Sequence, residues 1–177
     1  MKPGEAARLW IAQGLGAGRL RPAPGTWGSL VGVAWVLVLV STGNPWAYWL
    51  GTVAAAAVAI PWCTEAERLL GEQDPPSVVL DEVVAMPLAF GGHVVLWTLS
   101  GAGVPSWATL RGWWPYLAAA FVLFRILDIA KPWPIRPLQG LPGGWGIVLD
   151  DIAAGILAGA LLLAGTWAVF VGRLALG

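Results

Sequence analysis

The sequence predicts an all-α integral membrane protein: a helical bundle of about four to five transmembrane segments with an N-terminal interfacial helix. Three observations predict it. Of the 177 residues, 58% are hydrophobic and 11% charged, against about 25% charged in an average globular chain, and the mean hydropathy is +0.72. Five apolar runs are separated by glycine- and proline-rich stretches, which punctuate helices. No stretch alternates apolar and polar residues as a half-buried strand would. A chain of this length reads as one domain, residues 1–177. Its formal net charge of zero argues against a nucleic-acid partner. The single cysteine, Cys63, excludes an intrachain disulfide and a cysteine metal cluster. It reads as small apolar filler. The 13 tryptophans read mostly as interfacial anchors and packing.

Residues 1–13 carry Lys2, Glu5 and Arg8 among apolar residues. This pattern reads as a surface-lying amphipathic helix rather than a signal peptide. Residues 14–28 read as a flexible loop. The run Gly14-x-Gly16-x-Gly18 lacks the preceding strand that a nucleotide-binding loop requires. The first apolar run is Ser29–Val40, with Thr26 or Ser29 as its cap. Twelve helical residues cover about 18 Å, so this segment must tilt, extend at an end or insert partway.

The second run is Trp46–Trp62, with Pro61 kinking it before Glu65, Glu67 and Arg68. The third is Val78–Leu99, with Asp81 and Glu82 near its start. The fourth is Trp113–Ala130, which runs into the charged stretch Phe124-Arg-Ile-Leu-Asp-Ile-Ala-Lys-Pro-Trp-Pro-Ile-Arg136. A proline- and glycine-rich loop covers 131–146. The fifth is Ile147–Val171, with Asp150 and Asp151 in its first turn.

If all five runs span, alternation places Asp81, Glu82, Asp128, Asp150 and Asp151 on one side. Lys2, Arg8, Arg19, Arg21, Arg68, Arg125, Lys131 and Arg136 fall there too, leaving Arg111 and Arg173 opposite. The positive-inside rule makes the charged side cytoplasmic. Carboxylates crowded together cannot all stay ionised unless a cation joins them. An all-oxygen set suits a hard cation, Mg²⁺ or Mn²⁺, which binds substrate phosphate as well. The bland reading of Asp81 and Asp150 is first-turn acids favoured by the helix dipole. That reading fails for Asp128, at a helix C-terminus. Arg125 lies a turn inside an apolar run, where a charge needs a partner. Arg125, Lys131 and Arg136 read as phosphate contacts, with topological signals as the bland alternative. Pro24-Gly25-Thr26-Trp27-Gly28-Ser29 offers N–H groups and the Thr26 and Ser29 hydroxyls at a helix start, a good place for an anion. His93, the one histidine, stands mid-membrane and reads as a packing residue.

One histidine provides no pair for a phosphohistidine lipid phosphatase. The sequence also lacks D-x-D-x-T, D-G-x-x-A-R and G-x-S-x-G runs, which removes three further routes to lipid or phosphate chemistry.

Ala-Pro-Gly-Thr-Trp-Gly-Ser-Leu at 23–30, Asp-Glu-Val-Val-Ala-Met at 81–86, Phe-Arg-Ile-Leu-Asp-Ile-Ala-Lys-Pro-Trp-Pro-Ile at 124–135 and Gly-Gly-Trp-Gly-Ile-Val-Leu-Asp-Asp-Ile-Ala-Ala-Gly at 143–155 closely resemble the phosphatidylglycerophosphatase A family. The resemblance runs in order over residues 14–160, with departures at Ala85 and Val148. It implies an all-helical, multi-pass, Mg²⁺-dependent lipid phosphatase of the cell inner membrane. Its substrate there is phosphatidylglycerophosphate and its product phosphatidylglycerol. On that expectation Asp81, Glu82, Asp128, Asp150 and Asp151 supply metal ligands and a general base. Arg125 and Lys131 hold the phosphate, assisted by Thr26 and Ser29. The rival expectation is a small cation-coupled transporter or channel using the same carboxylates. A transport path needs ionisable groups through the membrane's depth, and only His93 lies near the middle.

Overall fold

The computed structural model describes residues 3–104 and 109–176, and within them every regular element is helical. Seven α-helices follow one another: α1 Pro3–Ala12, α2 Pro24–Ser41, α3 Pro45–Leu70, α4 Leu80–Leu99, α5 Leu110–Ala130, α6 Ile135–Leu138 and α7 Gly144–Leu176. A 3-10 stretch, Gly14–Arg19, joins α1 to α2. Five of the helices, α2, α3, α4, α5 and α7, are long and apolar enough to cross a membrane. Lys2, counted with the cations of the charged end, lies outside the described residues, as does part of the 100–112 loop.

Several elements begin earlier or run longer than the apolar runs imply. Helix α2 starts at Pro24, with Ala23 as its N-cap and no side-chain cap. Proline suits the first helical position because the N–H it lacks has no intrahelical partner there. The helix therefore has 18 residues, about 27 Å, and Thr26 and Ser29 lie inside it rather than capping it. Helix α3 continues through Pro61 to Leu70 and stops at Gly71, whose φ of 67° is the left-handed C-cap conformation.

Helix α7 starts at Gly144, not Ile147. The Gly144 N–H donates to Thr64 Oγ1 at 2.8 Å, so a side chain from α3 caps α7. Asp150 and Asp151 consequently sit in the second turn, and the first turn holds no acid. The dipole account of these two carboxylates loses its basis, since that effect fades beyond the first turn.

The stretch read as a flexible glycine loop is packed. A Cβ at Gly18 would collide with the carbonyl of Ser77, so glycine permits the 3-10 segment to lie against residues 77–79. The Val79 N–H donates to the Ala12 carbonyl at 3.0 Å and Gln13 Nε2 to Ser77 Oγ at 3.2 Å. Helix α1 docks on the end of α3 through buried Leu9 and Ala12 beside Ala66. Salt bridges of Arg8 with Glu65 and of Arg68 with Glu5 border that contact.

Helix α4 is the axle, touching α2, α3, α5 and α7. Its most extensive contact is with α7. A Cβ at Gly155 would come 2.7 Å from the Ala85 carbonyl, and one at Gly159 2.8 Å from the Leu88 carbonyl. Small residues four apart let two helix backbones meet, the packing available where hydrophobicity gives no drive between helices. One turn before Gly155 is Asp151, and one turn before Ala85 are Asp81 and Glu82. The small-residue seam therefore brings the acids face to face.

The main core, including Val36, Met86, Phe90, Phe124 and Ala158, fills the middle of the bundle. A second cluster around Cys63, Val84, Ile147 and Val148 lies at the end bearing the acids.

Candidate active site

Four helix ends meet at the charged pole: the starts of α2, α4 and α7 and the end of α5. Asp81 and Glu82 occupy the first turn of α4. They are 7% and 8% exposed, and Asp150 and Asp151 on α7 are 2% exposed each. One carboxylate oxygen from each of Asp81, Glu82 and Asp151 can be chosen so that all three lie within 4.8 Å of one another. Asp81 Oδ1, Glu82 Oε2 and Asp151 Oδ2 are buried without a hydrogen-bond partner.

The other two predicted carboxylates are built differently. Asp128 accepts from Arg125 Nη1 at 2.6 Å, three residues back on α5. Asp150 pairs with Lys131, and its Oδ1 accepts from the Asp151 N–H at 3.0 Å. Lys131 follows α5 as its C-cap, with φ 42° and ψ 58°, and this left-handed turn directs the chain out of the helix. Burial works against its ammonium charge. The hydrogen bond and charge of Asp150, with the charges of Asp151 and Asp128, outweigh burial and raise the Lys131 pKa. Lys131 therefore stays protonated at neutral pH and acts as a fixed positive charge.

Arg125 links the two groups. Its Nη1 lies 3.7 Å from Glu82 Oε1 and 3.4 Å from Ser29 Oγ, and its Nε is buried without a partner. The Ser29 hydroxyl donates to the Gly25 carbonyl at 2.8 Å. Thr26 is half-buried on the first turn of α2 and shares a face with Ser29 at i, i+3 spacing. Arg136 is exposed on α6, away from these contacts. Gly25 was absent from the sequence-derived set, yet its backbone lies against Glu82 and Arg125. Its sequence signals are its place in the Pro24–Ser29 stretch and in the 23–30 motif, which mark the segment but not the contact.

At the far side of the main core, His93 is buried and its Nε2 lies 3.1 Å from Thr166 Oγ1. Its ring is 4.7 Å from that of Tyr116. This is the packing role expected of it.

Buried carboxylates beside an arginine and a lysine, at one pole of a bundle whose long helices are apolar enough to cross a membrane, suit the chemistry of a phosphate group. The chain belongs to the phosphatidylglycerophosphatase A family, whose model matches residues 10–166. A phosphatidylglycerophosphatase A of Haemophilus influenzae is 36% identical over 149 residues, 84% of this chain and 82% of the relative. One of Escherichia coli K12 is 34% identical over 159 residues, 86% of this chain and 79% of the relative. A Bacteroides thetaiotaomicron protein provisionally named a phosphatidylinositol-3-phosphatase is 31% identical over 166 residues, 90% of this chain and 93% of that protein. No solved structure matches this chain.

Proposed function

We propose that this chain is a single-domain, Mg²⁺-dependent phosphatase that converts phosphatidylglycerophosphate to phosphatidylglycerol and phosphate. It works at the cytoplasmic face of the inner membrane. The observation that carries the reading is the set of three buried, unpartnered carboxylate oxygens on Asp81, Glu82 and Asp151. Three such anions repel unless a cation joins them, and an all-oxygen donor set fits a hard divalent ion. Asp81, Glu82 and Asp151 would hold Mg²⁺; the ion, when bound, supplies Lewis-acid stabilisation of phosphoryl charge and a more acidic bound water.

The remaining residues divide the work. Arg125 presents a planar fork suited to a phosphate monoester. Its ion pairs with Asp128 and Glu82 fix the fork's direction. Lys131 contributes positive charge and Asp150 anchors it. Ser29 and Thr26, with the opening N–H groups of α2, line the approach to Arg125. Asp128 and Asp150 already carry a cation each, so they serve as positioning groups and as candidates for the general base. The five acids thus form two sets rather than one ligand shell.

The lipid substrate reading rests on the family and on relatives so named. The third relative's name makes phosphatidylinositol-3-phosphate the comparison substrate. Purified protein should release phosphate from phosphatidylglycerophosphate in Mg²⁺ and stop in excess EDTA. Faster turnover of phosphatidylinositol-3-phosphate would reassign the substrate, and full activity in EDTA would remove the metal. Sidedness follows from the cation asymmetry. Reporter fusions should place the N-terminus inside and the C-terminus outside; the reverse result would move the site to the other face.

A further inference from the structure

At Gly25 the backbone of α2 touches the site with no side chain between. Gly25 is the second residue of that helix. A Cβ there would overlap Glu82 Oε1 and lie 3.0 and 3.1 Å from Nη1 and Nη2 of Arg125. Other glycines of α2 face fixed atoms. At Gly28 the added carbon meets Val79 Cβ at 2.6 Å, and at Gly32 it meets Met86 Cβ at 2.6 Å, so these two protect helix packing. At Gly25 the obstructing atoms are the far ends of two long side chains, which can swing aside without moving any backbone.

Glycine is otherwise a poor choice here. Its φ is not among the positive values, so alanine fits the backbone. Alanine would also favour the helix and narrow the unfolded ensemble. A residue that costs stability and preserves no packing calls for another reason, and the chain ends it spares are those of Glu82 and Arg125.

We infer that Gly25 is a positioning residue: its bare Cα is the wall against which the Glu82 carboxylate sits beside Arg125 and towards Asp81 and Asp151. A methyl group in that volume would rotate the carboxylate, shift its oxygens relative to Asp81 and Asp151 and separate Oε1 from Arg125. This rests on the reading of Glu82 as part of the active site. A displacement of about 1 Å in a reacting constellation is enough to lose about a hundredfold in rate.

The test compares four full-length proteins in detergent: wild type, Gly25→Ala, Glu82→Asp and the double variant. Three quantities are measured: thermal unfolding in EDTA, Mn²⁺ affinity by paramagnetic resonance, and kcat and KM for phosphatidylglycerophosphate. Gly25→Ala should unfold at or above the wild-type temperature and bind Mn²⁺ at least tenfold more weakly. Its kcat should fall at least tenfold, with KM within threefold. Glu82→Asp retracts the carboxylate by one methylene and makes room for the methyl group. The double variant should therefore be no worse than Glu82→Asp alone, the non-additivity of residues in contact. Additive losses would overturn the inference. So would a Gly25→Ala protein within twofold of wild type in kcat and Mn²⁺ affinity, or one whose unfolding temperature falls in step with its activity. Should wild type bind no Mn²⁺, the metal reading falls separately. The kcat cycle then still decides: coupling supports positioning through Glu82, and additivity rejects it.

Discussion

The acid-bearing pole and the aromatic cluster around His93 both bury polar groups, and they treat them in opposite ways. His93 meets Thr166 through Nε2 and lies among Phe90, Trp97 and Tyr116. What remains is one unpartnered nitrogen, Nδ1, on a ring that can stay neutral. Hydroxyls in the interior are likewise provided for: Tyr48 donates to the Pro87 carbonyl at 2.7 Å, and Thr52 to the Tyr48 carbonyl at 2.8 Å. At the acid pole three carboxylates each leave an oxygen without a partner, on helices held together by a small-residue seam. An unmet neutral group costs about 1–3 kcal/mol; an uncompensated buried charge costs several. The bundle satisfies these interior hydroxyls and leaves the three carboxylate oxygens open, so the two regions differ in how completely their buried polar atoms are met.

The largest effect that should separate the two regions is on turnover. Asp81→Asn or Asp151→Asn should lower kcat at least a thousandfold, about 4 kcal/mol in the barrier, while His93→Gln stays within threefold. Steady-state phosphate release from phosphatidylglycerophosphate checks both. Equal losses at the two places would erase the contrast. The stability of the metal-free protein should move the other way. Asp151→Asn removes a repelling charge, so it should unfold in EDTA at or above the wild-type temperature, and a lower temperature would mean that the trio is not repulsive.

Lys131→Met comes next. It leaves Asp150, 2% exposed, buried beside Asp151 without its cation. Removing one partner of a buried pair costs about 3 kcal/mol or more, read by unfolding in denaturant. The sign with pH also follows. The folded-state pKa of Lys131 is raised. Its stabilisation is therefore complete below the unfolded value and lost only as pH rises through the folded one. The part of the wild-type minus Lys131→Met difference that Lys131 supplies should therefore persist at neutral pH and shrink in alkali. Arg125→Lys is a smaller change. It keeps the charge and loses the fork, so activity should fall about tenfold, about 1.4 kcal/mol. Unchanged turnover would make Arg125 a structural partner of Asp128.

The contrast between regions was half visible in the sequence, for a physical reason. Alternating five apolar runs across a membrane needs only segment order, and order alone put Asp81, Glu82, Asp128, Asp150 and Asp151 at one pole. Segment order says nothing about pairing. That Lys131 neutralises Asp150, or that Arg125 reaches Glu82 on another helix, depends on helix rotation and depth; the Gly155 and Gly159 seam sets these for α4 against α7 through backbone contact. Helix starts were misread where proline and glycine suggest a loop. Pro24 opens α2 because a first-turn proline loses no hydrogen bond, and Gly144 opens α7 because Thr64, 80 residues earlier, accepts from its N–H. The sequence marks Gly25 only as part of the Pro24–Ser29 stretch; its contact with Glu82 and Arg125 is hidden because a close approach is a property of two elements, and sequence shows one at a time.

The smallest effect tests the quiet region itself. Thr166 Oγ1 faces His93 Nε2 and also donates to the Leu162 carbonyl at 2.8 Å. Thr166→Val keeps the shape and removes the hydroxyl, leaving both imidazole nitrogens without a partner. Deleting one partner of a buried neutral hydrogen bond costs about 1 kcal/mol. The variant should therefore unfold a few degrees lower, with kcat and Mn²⁺ affinity at wild-type values. His93 stands 12 residues along α4 from Asp81, about 18 Å away, too far to touch the acids. Coupling between them would have to pass through the core around Phe90 and Met86. A fall in turnover beyond the loss of folded protein would show that polar groups at this depth serve the reaction. It would extend the functional path across the bundle, the arrangement a cation-coupled transporter requires. Unchanged turnover at lowered stability would confine the chemistry to one pole, where a phosphatase acting on a membrane headgroup needs it.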